Sequence, residues 1–575
     1  MIKYNSNERD VLYPRNSRYR QKKRQIYCII QQREKFVVEI INKMLHYRKE
    51  KNLGRCRVMT KLLKSTSFWF NSVVLLLLIV FFSKVCPVIP FNGDDWFFTG
   101  TMRLPIPIWN AFNPVKVLPE VLEPLGGLCA AYIIYPITHD YVASIAGVQA
   151  VIISLFITLL FYSFYKFVRI RLKKDERHAL IWEFLFVLSF FFVFKKLDGL
   201  SYYGFWAPDL NCYFNYIIPG IVNACIVLYM ARYENFAEEF GKWSYLKKGF
   251  YIVIAYFSIF SSIQLSIILS VYCSYQLLMM LAKAIKNRDT LNIKSFFSES
   301  KLYILELICW SVSLIFELNG FRAEAIGNDN WLTASNIKSV AKNFISLYRQ
   351  TNKLLIAICT LCVFIVLIKT FIHLLKKDEY GKKLIGLISA SVYIVGVTFA
   401  YLFFVYLKAG AGYASVPNAT WALLCYILIF ANIYIISACD LMPKIQIFVP
   451  ITIAMIFLLT FSLNFRFRQS VFDYDTAKEI DETIINQIVK ADREGKNYVE
   501  VQVPYYEDFE SNWPQPDNMA IWLQNGLYAH NIVKTRMKIV FVRNKELYNR
   551  FYSKDYDKNE KFYDFETGSY LPKEK

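Results

Sequence analysis

Long uninterrupted blocks of apolar residues constrain the fold of this chain more than any other feature. Each block runs for about 18 to 25 residues, the length that an α-helix needs to cross a bilayer core of about 30 Å. Of the 575 residues, 55% are hydrophobic and 20% are charged. A soluble chain of this length would form several domains with charged surfaces. The sequence therefore predicts an all-α polytopic membrane protein.

We expect about eleven transmembrane helices within residues 65–463. The apolar stretch at 249–283 is assigned to two helices joined by a tight hairpin at residues 261–264, because one helix of about 35 residues is longer than a bilayer requires. The predicted spans lie near residues 67–86, 142–166, 179–195, 214–231, 249–261, 264–283, 302–318, 354–375, 384–407, 420–439 and 445–463.

The net charge of +21 is distributed unevenly along the chain. Residues 1–64 contain 18 Lys and Arg against 5 Asp and Glu. No stacking-aromatic motif of a nucleic-acid binder accompanies this basic arm, so nucleic acid is not a predicted partner. We interpret the arm as a cytoplasmic segment that orients the protein and contacts anionic membrane lipid. The 12 cysteines lie mainly in the hydrophobic spans, which argues against a zinc or disulfide framework.

Basic residues in the connections alternate between the two sides of the predicted spans. Loops on the amino-terminal side are basic, whereas residues 408–419 carry only Lys408. This positive-inside pattern predicts a plasma-membrane protein with a cytoplasmic N-terminus and, with eleven spans, an extracytoplasmic C-terminus. The basic residues are Arg169, Arg171, Lys173, Lys174, Arg177, Lys247, Lys248, Lys283, Lys286, Arg288, Lys376, Lys377, Lys382 and Lys383.

The tail, residues 464–575, has no long apolar run and carries 17 Lys and Arg against 19 Asp and Glu. Apolar spacing predicts an amphipathic helix over 476–493, and alternation predicts strands over 498–504 and 537–542. We expect a small extracytoplasmic α+β domain. It is either a cap over the active face or a plain solvated tail.

The first predicted outer loop, residues 87–141, contains an adjacent acid pair, Asp94 and Asp95. One Asp can act as a general base toward an acceptor hydroxyl. Both can hold a divalent cation, Mg²⁺ or Mn²⁺, against a phosphate leaving group. Alternatively, they cap the following helix, since Asp is favoured at helix N-termini. The apolar stretch 128–137 in this loop is expected to be too short to cross, and to lie along the interface or pack on the bundle.

Several further residues on the outer side are candidates for substrate contact. Basic residues near span ends suit a phosphate, although each can equally be an ordinary interfacial cation. Polar or aromatic residues at the same level suit a substrate cavity, although a helix–helix hydrogen bond or an aromatic collar explains them as well. The phosphate candidates are Arg103, Lys116 and Arg322, the cavity candidates are Trp96, Gln264 and Glu317, and the additional outer acids are Asp140, Asp198 and Asp209.

A hydrophobic span followed by an Asp pair in a long first outer loop resembles the GT-C superfamily of integral-membrane glycosyltransferases. The resemblance covers residues 67–463 and is architectural more than motif-based. It implies a bacterial enzyme that uses a polyprenyl-phosphate-linked sugar on the outer face of the membrane. Asp94 or Asp95 would be its functional acid. The acceptor would be a cell-envelope glycan, a teichoic acid or a protein.

Other functions fit the same topology. An oligosaccharide polymerase or ligase of envelope assembly has a similar number of spans, but its long outer loop usually lies in the later half. A lipid or polysaccharide transporter would favour charges within spans and matching broken helices in two halves, and few such features are present. A non-enzymatic scaffold leaves the outer acids and the tail without a role.

Overall fold

The computed structural model describes residues 65–90, 92–103, 113–195, 202–286, 293–320, 331–441, 448–459, 474–504, 516–552, 561–564 and 569–572. The predicted basic arm lies outside these residues, and all contacts given below lie within the compact unit Asn71–Lys575. The first helices are α1 (Thr66–Val85), α2 (Gly93–Gly100), α3 (Pro119–Thr138), α4 (Tyr141–Ile170), α5 (Glu176–Phe191), α6 (Leu210–Met230), α7 (Phe236–Gly241) and α8 (Tyr245–Ile259). They are followed by α9 (Ile263–Lys286), α10 (Ile293–Leu318), α11 (Ala334–Gln350), α12 (Lys353–Leu375), α13 (Glu379–Ala409), α14 (Trp421–Asp440) and α15 (Phe448–Leu459).

Eight helices among the described residues are long and apolar enough to cross a membrane. Seven of them, all except α3, coincide with predicted spans. The other four predicted spans also form helices, but these are shorter or less apolar. The protein therefore has the helices of a membrane-spanning protein, while the count of eleven spans stays a prediction. The eight helices are α1, α3, α4, α6, α9, α12, α13 and α14.

Helix α3 differs from its sequence interpretation. The helix begins at Pro119 and runs for 20 residues, so the prediction of a short apolar stretch limited to 128–137 was wrong. The chain then reverses at His139, whose φ of 57° is in the left-handed region. The Nε2 of Gln149 on α4 donates to the Glu123 carbonyl at 3.1 Å. Ala130 and Ala131 of this stretch are buried in one cluster with residues at the start of α4, which supports packing on the bundle, one of the two predicted placements.

The predicted hairpin between α8 and α9 is confirmed. Helix α8 ends at Ile259 and α9 begins at Ile263. Within the turn, the Ser261 hydroxyl donates to the Ser258 carbonyl at 2.6 Å, and the carbonyl of Ser262 accepts from the N–H of Ser266 at 2.8 Å. Three residues are therefore enough to reverse the chain at the end of the bundle.

The C-terminal segment, which we define as residues 474–552, alternates helices and strands as predicted. The predicted helix and both predicted strands are present, with ends that shift by one or two residues. Strands β1 and β2 pair in parallel from Tyr498 opposite Lys538 to Pro504 opposite Asn544, with α17 between them in the chain. The elements are α16 (Tyr474–Arg493), β1 (Tyr498–Pro504), α17 (Pro516–Ala529), β2 (Lys538–Asn544) and α18 (Lys545–Tyr552), followed by the antiparallel pair β3 (Lys561–Asp564) and β4 (Ser569–Pro572).

This segment is packed against the first loop and the start of α4 rather than being a plain solvated tail. One continuous cluster of buried apolar side chains, the shared core, joins them. Two parallel strands and a few helices bury little apolar surface alone, so the first loop completes their core. The shared core contains Ile89, Trp96, Ala130, Ala131, Tyr141, Val142, Ile145, Ala146, Ala477, Ile480, Ile484, Ile485, Ile488, Ala491, Val501, Val503, Met519, Leu523, Leu527, Val533, Met537 and Phe551.

Glycines allow the backbones of α2, α3 and α17 to pack directly against one another. A Cβ on Gly100 of α2 would lie 2.6 Å from the Cα of Gly526 on α17, and one on Gly526 would lie 2.7 Å from the Trp96 carbonyl oxygen. A Cβ on Gly127 of α3 would collide with the carbonyl of Thr99. Real Cβ atoms do not tolerate such separations, so these positions require glycine in this packing.

Hydrogen bonds and one ion pair also join the first loop and the start of α4 to the C-terminal segment. The Nε2 of His530 lies 2.9 Å from the Thr99 carbonyl, so it carries the proton, and Nδ1 accepts from the Tyr141 hydroxyl at 2.6 Å. Asp140 accepts from the N–H of Ala143 at the start of α4 and forms an ion pair with Lys478 of α16 at 2.7 Å. The first loop is thus bound to the C-terminal segment through both apolar and polar groups.

Candidate functional site

The two members of the acid pair have different environments at the start of α2. Asp95 is fully buried, whereas Asp94 is exposed. The Asp95 carboxylate accepts from the N–H of Asn92 at 3.2 Å, and the Asn92 side chain accepts from the N–H of Asp95 at 3.1 Å, which completes a capping box. The second oxygen of Asp95 accepts from the N–H of Asn211 on α6 at 2.7 Å. Asp95 therefore stabilises the N-termini of two helices.

Asp209 also accepts hydrogen bonds at the N-terminal ends of α2 and α6. Its carboxylate accepts from the N–H of Cys212 at 2.7 Å and from the Asn92 amide at 3.2 Å. Burial raises the pKa of Asp209 above its ordinary value, against the lowering effect of the Cys212 hydrogen bonds, and the negative charge of Asp94 raises it further. The positive ends of α2 and α6 thus meet at a group of acids.

Glu123 of α3 adds a fourth carboxyl to this group. Its side chain is fully buried, and neither carboxyl oxygen has a hydrogen-bond partner among the described residues. It interacts electrostatically with Asp95, Asp209 and Asp94, and with Lys116 of opposite charge. We call Asp94, Asp95, Glu123 and Asp209 the acid cluster.

A fifth carboxyl approaches from the C-terminal segment. Asp481 of α16 is fully buried, and its oxygens have no hydrogen-bond partner among the described residues. Burial raises the pKa of Asp481 well above its ordinary value, and the nearby charge of Asp95 raises it further. Burial also lowers the pKa of His530, on the same side of α2, to about 4. His530 is therefore uncharged at neutral pH, and burial favours the protonated form of Asp481.

A cavity of about 530 Å³ has Lys116 in its lining, and Lys116 interacts electrostatically with Glu123 of the acid cluster, although none of the four acids is among the described lining residues. Three of the residues predicted for substrate contact, Lys116, Gln264 and Glu317, line it together. Lys408 is a second cation in the lining, and the rest is mainly apolar and aromatic. Among the described residues, the lining consists of Lys116, Asn215, Tyr216, Ser262, Ile263, Gln264, Leu314, Glu317, Leu318, Trp331, Tyr401, Phe404, Val405, Lys408, Ala409 and Tyr413.

Two asparagines connect the cavity to the acid cluster. Asn215 lines the cavity, and its Nδ2 donates to the Asn211 carbonyl at 3.1 Å. The N–H of Asn211 in turn donates to Asp95. Only two hydrogen bonds therefore separate the cavity lining from the buried member of the acid pair.

Lys116 is held at the cavity by its backbone. Its φ of 55° is left-handed, which is uncommon for a residue with a side chain. The Lys116 N–H donates to the Ser261 carbonyl at 2.9 Å, and the Val117 N–H donates to the Phe260 carbonyl at 2.7 Å. The end of the first loop is thus fastened to the hairpin between α8 and α9.

The other three predicted contact residues are not among the described residues that line the cavity. Arg103 forms an ion pair with Glu120 at 3.1 Å and donates to the Val115 carbonyl at 2.7 Å, so its guanidinium closes the first loop instead of facing the cavity. Trp96 is buried in the shared core against the ring of Tyr141, with 6.4 Å between the ring centres. Arg322 lies outside the described residues.

The residues that sequence reasoning missed had weak signals. Lys408 is the single basic residue of its connection, and it was used only as evidence for orientation. Glu123 was not selected, because nothing in the neighbouring sequence shows that α3 buries it. Asn211 and Asn215 lie in the first turns of α6, where asparagine is an ordinary residue.

No family model, curated protein or solved structure matches this chain. The resemblance to the GT-C superfamily therefore stays a prediction. Among the described residues, no three His, Cys, Asp or Glu side chains form a group that would hold a metal ion. A divalent cation at Asp94 and Asp95 likewise stays a prediction.

Proposed function

We propose that this protein is a membrane glycosyltransferase that moves a sugar from a polyprenyl-phosphate donor to a cell-envelope acceptor. The observation that carries the proposal is the cavity itself. It combines two lysines with an apolar and aromatic lining, and it lies two hydrogen bonds from the acid cluster. A lipid-linked sugar phosphate has the same combination of groups, an anionic phosphate on a long apolar tail.

Each part of the cavity has a role in this proposal. The ammonium groups of Lys116 and Lys408 bind the donor phosphate, because a cation near an anionic oxygen forms a strong charge-assisted hydrogen bond. The aromatic and aliphatic lining holds the first isoprene units. Gln264 and Glu317 offer hydrogen-bond groups that suit sugar hydroxyls.

The proposed chemistry assigns different roles to the acid pair. Asp94, which is exposed, takes the proton of the acceptor hydroxyl, or holds a divalent cation, as the oxygen attacks the anomeric carbon. The bond between the anomeric carbon and the phosphate oxygen breaks, and the polyprenyl phosphate leaves with the electron pair, its charge stabilised by the lysines. Asp95 acts as a positioning residue, because its oxygens already accept N–H groups at the ends of α2 and α6.

The proposal includes an orientation, with the acid cluster, the cavity and the C-terminal segment on the outer face. The support is the basic bias of the opposite loops. An impermeant thiol reagent should modify Ser415→Cys in intact cells above the level of the unsubstituted chain. Labelling that requires permeabilised cells would reverse the orientation.

The decisive experiment is sugar transfer by the full chain in liposomes with a panel of labelled polyprenyl-phosphate sugars. We expect Asp94→Asn to lower the rate about 100-fold or more, as for loss of a general base, with an unchanged melting temperature. Asp95→Asn should lower both the rate and the melting temperature, since it weakens the capping box.

Asp475→Asn is the matched control, because Asp475 is an exposed acid in the first turn of another helix, α16. It should retain full activity. Full activity in both Asp94→Asn and Asp95→Asn would contradict the proposal. Flux of the lipid-linked sugar without any acceptor, altered by the same variants, would favour a transporter instead.

A further inference from the structure

Helix α11, Ala334–Gln350, precedes a membrane-length helix and is strongly amphipathic. It contains three basic residues and no Asp or Glu. At 100° per residue, its side chains fall into four strips that follow one another around the helix. The first strip faces the protein and the second exposes apolar side chains. The third exposes cations and the fourth exposes serines.

The first strip attaches α11 to the bundle near the cavity. Asn336 donates to the Leu407 carbonyl at 2.8 Å, and Asn343 donates to the Ala411 carbonyl at 2.7 Å. Val340 on the same strip is fully buried, and the ring of Phe344 lies against Phe399, with 5.1 Å between the ring centres. Helix α11 therefore has a fixed rotation about its own axis.

The second strip is apolar and exposed. Ile337, Ile345 and Tyr348 have 39%, 52% and 56% of their surface exposed. Exposing a contiguous apolar strip to water is unfavourable, so such a strip marks a surface with a partner. The helix rotation set by Asn336 and Asn343 prevents the strip from turning inward.

The third strip consists of Lys338, Lys342 and Arg349, all exposed. It borders the apolar strip along the length of the helix. On its far side lie Ser335, Ser339 and Ser346, which are also exposed. This order from apolar through basic to polar is the order that a helix needs to lie in the headgroup region of a bilayer.

The end of α11 lies at a membrane boundary. Helix α12 begins at Lys353, only three residues after Gln350. The Lys195 N–H donates to the Gln350 carbonyl at 2.7 Å, and the Asn352 N–H donates to the Val193 carbonyl at 2.8 Å. Since α12 has the length and composition of a membrane span, α11 ends where that span enters the membrane.

We propose that α11 is a binding surface for anionic phospholipid. Its exposed apolar strip enters the acyl region, and Lys338, Lys342 and Arg349 bind the phosphate-bearing headgroups. The partner is a lipid surface rather than a second protein because the basic strip follows the edge of the apolar strip, matching the layering of a bilayer in depth. This surface is independent of the proposed glycosyl transfer.

Photo-crosslinking in nanodiscs of phosphatidylglycerol and phosphatidylcholine tests the placement. The full chain carries p-benzoylphenylalanine in place of Ile345, or in place of Ser339 as the matched control on the water-facing strip. Mass spectrometry should find lipid adducts at position 345 and several-fold fewer at position 339. Equal lipid adducts at the two positions, or adducts between two copies of the chain at position 345, would overturn the proposal.

The headgroup preference is tested with the triple variant K338Q/K342Q/R349Q. The lipid adducts at position 345 should be enriched in phosphatidylglycerol in the otherwise unchanged chain, and each removed charge should weaken that enrichment by up to about fivefold. The control triple variant K490Q/K534Q/K538Q removes three exposed lysines of the C-terminal segment and should leave the enrichment unchanged. Unchanged enrichment in K338Q/K342Q/R349Q would refute binding of anionic headgroups by α11.

Discussion

The first loop takes part in two regions that are built in opposite ways, the shared core and the cavity. In the shared core, Trp96 and the glycines of α2 and α17 pack at backbone contact, and His530 has a partner for each ring nitrogen. In the cavity, Lys116 and Lys408 stand with Gln264 and Glu317 around about 530 Å³ of open space. The difference indicates that one side of the first loop fixes position and the other side is available for a ligand.

The acid cluster lies between these two regions. Asp95 contacts the cavity side through Asn211, and its charge also acts on Asp481 of the shared core. If this comparison is correct, substitutions in the shared core mainly alter stability. Substitutions in the cavity mainly alter ligand binding and have little effect on stability.

Gly526→Ala should break the shared core and have the largest effect on stability. Its Cβ would lie 2.7 Å from the Trp96 carbonyl oxygen, and overpacking of this kind costs about 1–3 kcal/mol. We expect a lower melting temperature and faster proteolysis of the C-terminal segment. Gly249→Ala, in α8, meets no atom within 4 Å and should be neutral or slightly stabilising. An equal response of the two variants would contradict the close approach of α2 and α17.

His530 should contribute a loss of stability as the pH is lowered from about 6.5 toward 4, opposite in sign to the contribution of Asp481. Burial lowers the pKa of His530 from 6.5 to about 4, so in this range the unfolded chain binds a proton that the folded chain does not. His530 therefore lowers the free energy of unfolding with falling pH, by about 3 kcal/mol at most. Melting temperatures between pH 7 and pH 4.5 measure the slope.

The variant His530→Gln should lose the contribution of His530 to that slope, because it removes the titrating group. His178→Gln, in α5 away from the shared core, is its control and should keep the slope. The same slope in His530→Gln as in the unsubstituted chain would show that other groups cause the acid sensitivity.

Asp481→Asn should stabilise the protein at neutral pH. Because burial raises the pKa of Asp481, the folded chain retains a proton that the unfolded chain releases above about pH 4, so this group opposes folding as the pH rises. The asparagine side chain does not ionise, so the variant lacks this unfavourable contribution to folding. We expect the free energy of unfolding to rise by about 1–2 kcal/mol at pH 7, and the gain should disappear near pH 4.

Asp475→Asn, an exposed acid on the same helix, provides the comparison and should change the melting temperature little. A loss of stability in Asp481→Asn at pH 7 would mean that the carboxylate is charged and paired in the folded protein. The shared core would then carry charge, as the cavity does.

Lys116→Gln and Lys408→Gln test the cavity and should have the smallest effect on stability. We expect each to weaken donor binding about tenfold, which corresponds to about 1.4 kcal/mol. The measurement is KM for the polyprenyl-phosphate sugar beside the melting temperature. Lys538→Gln, on β2, is the matched control. A large fall in melting temperature with unchanged KM would place these lysines among the structural residues.

Features with a local cause could be predicted from the sequence. Each of the eleven predicted spans contains a helix among its described residues, because apolar side chains in long runs favour a helix whatever surrounds them. The hairpin at 261–264 and the alternating strands of the C-terminal segment follow from equally short patterns. Helix α3 was misjudged because its first half, 119–127, contains Glu, Pro and two Gly, which hid its continuity with the apolar half.

The candidate site could be predicted only in part. Lys116, Gln264 and Glu317 were selected because each is polar and lies near a span end, and they line one cavity. Trp96 was selected on the same reasoning but lies in the shared core, since its surroundings depend on α17, more than 400 residues later in the chain.

The sequence by itself determined that this is a helical membrane protein with an adjacent acid pair after its first apolar helix and with both helix and strand near the C-terminus. Only the tertiary structure decided what each acid contacts. Asp95 accepts from Asn211, and Asp481 lies near Asp95, although each pair is far apart in the chain. Helices and strands form from neighbouring residues, whereas the burial and partners of a side chain depend on which distant elements pack against it.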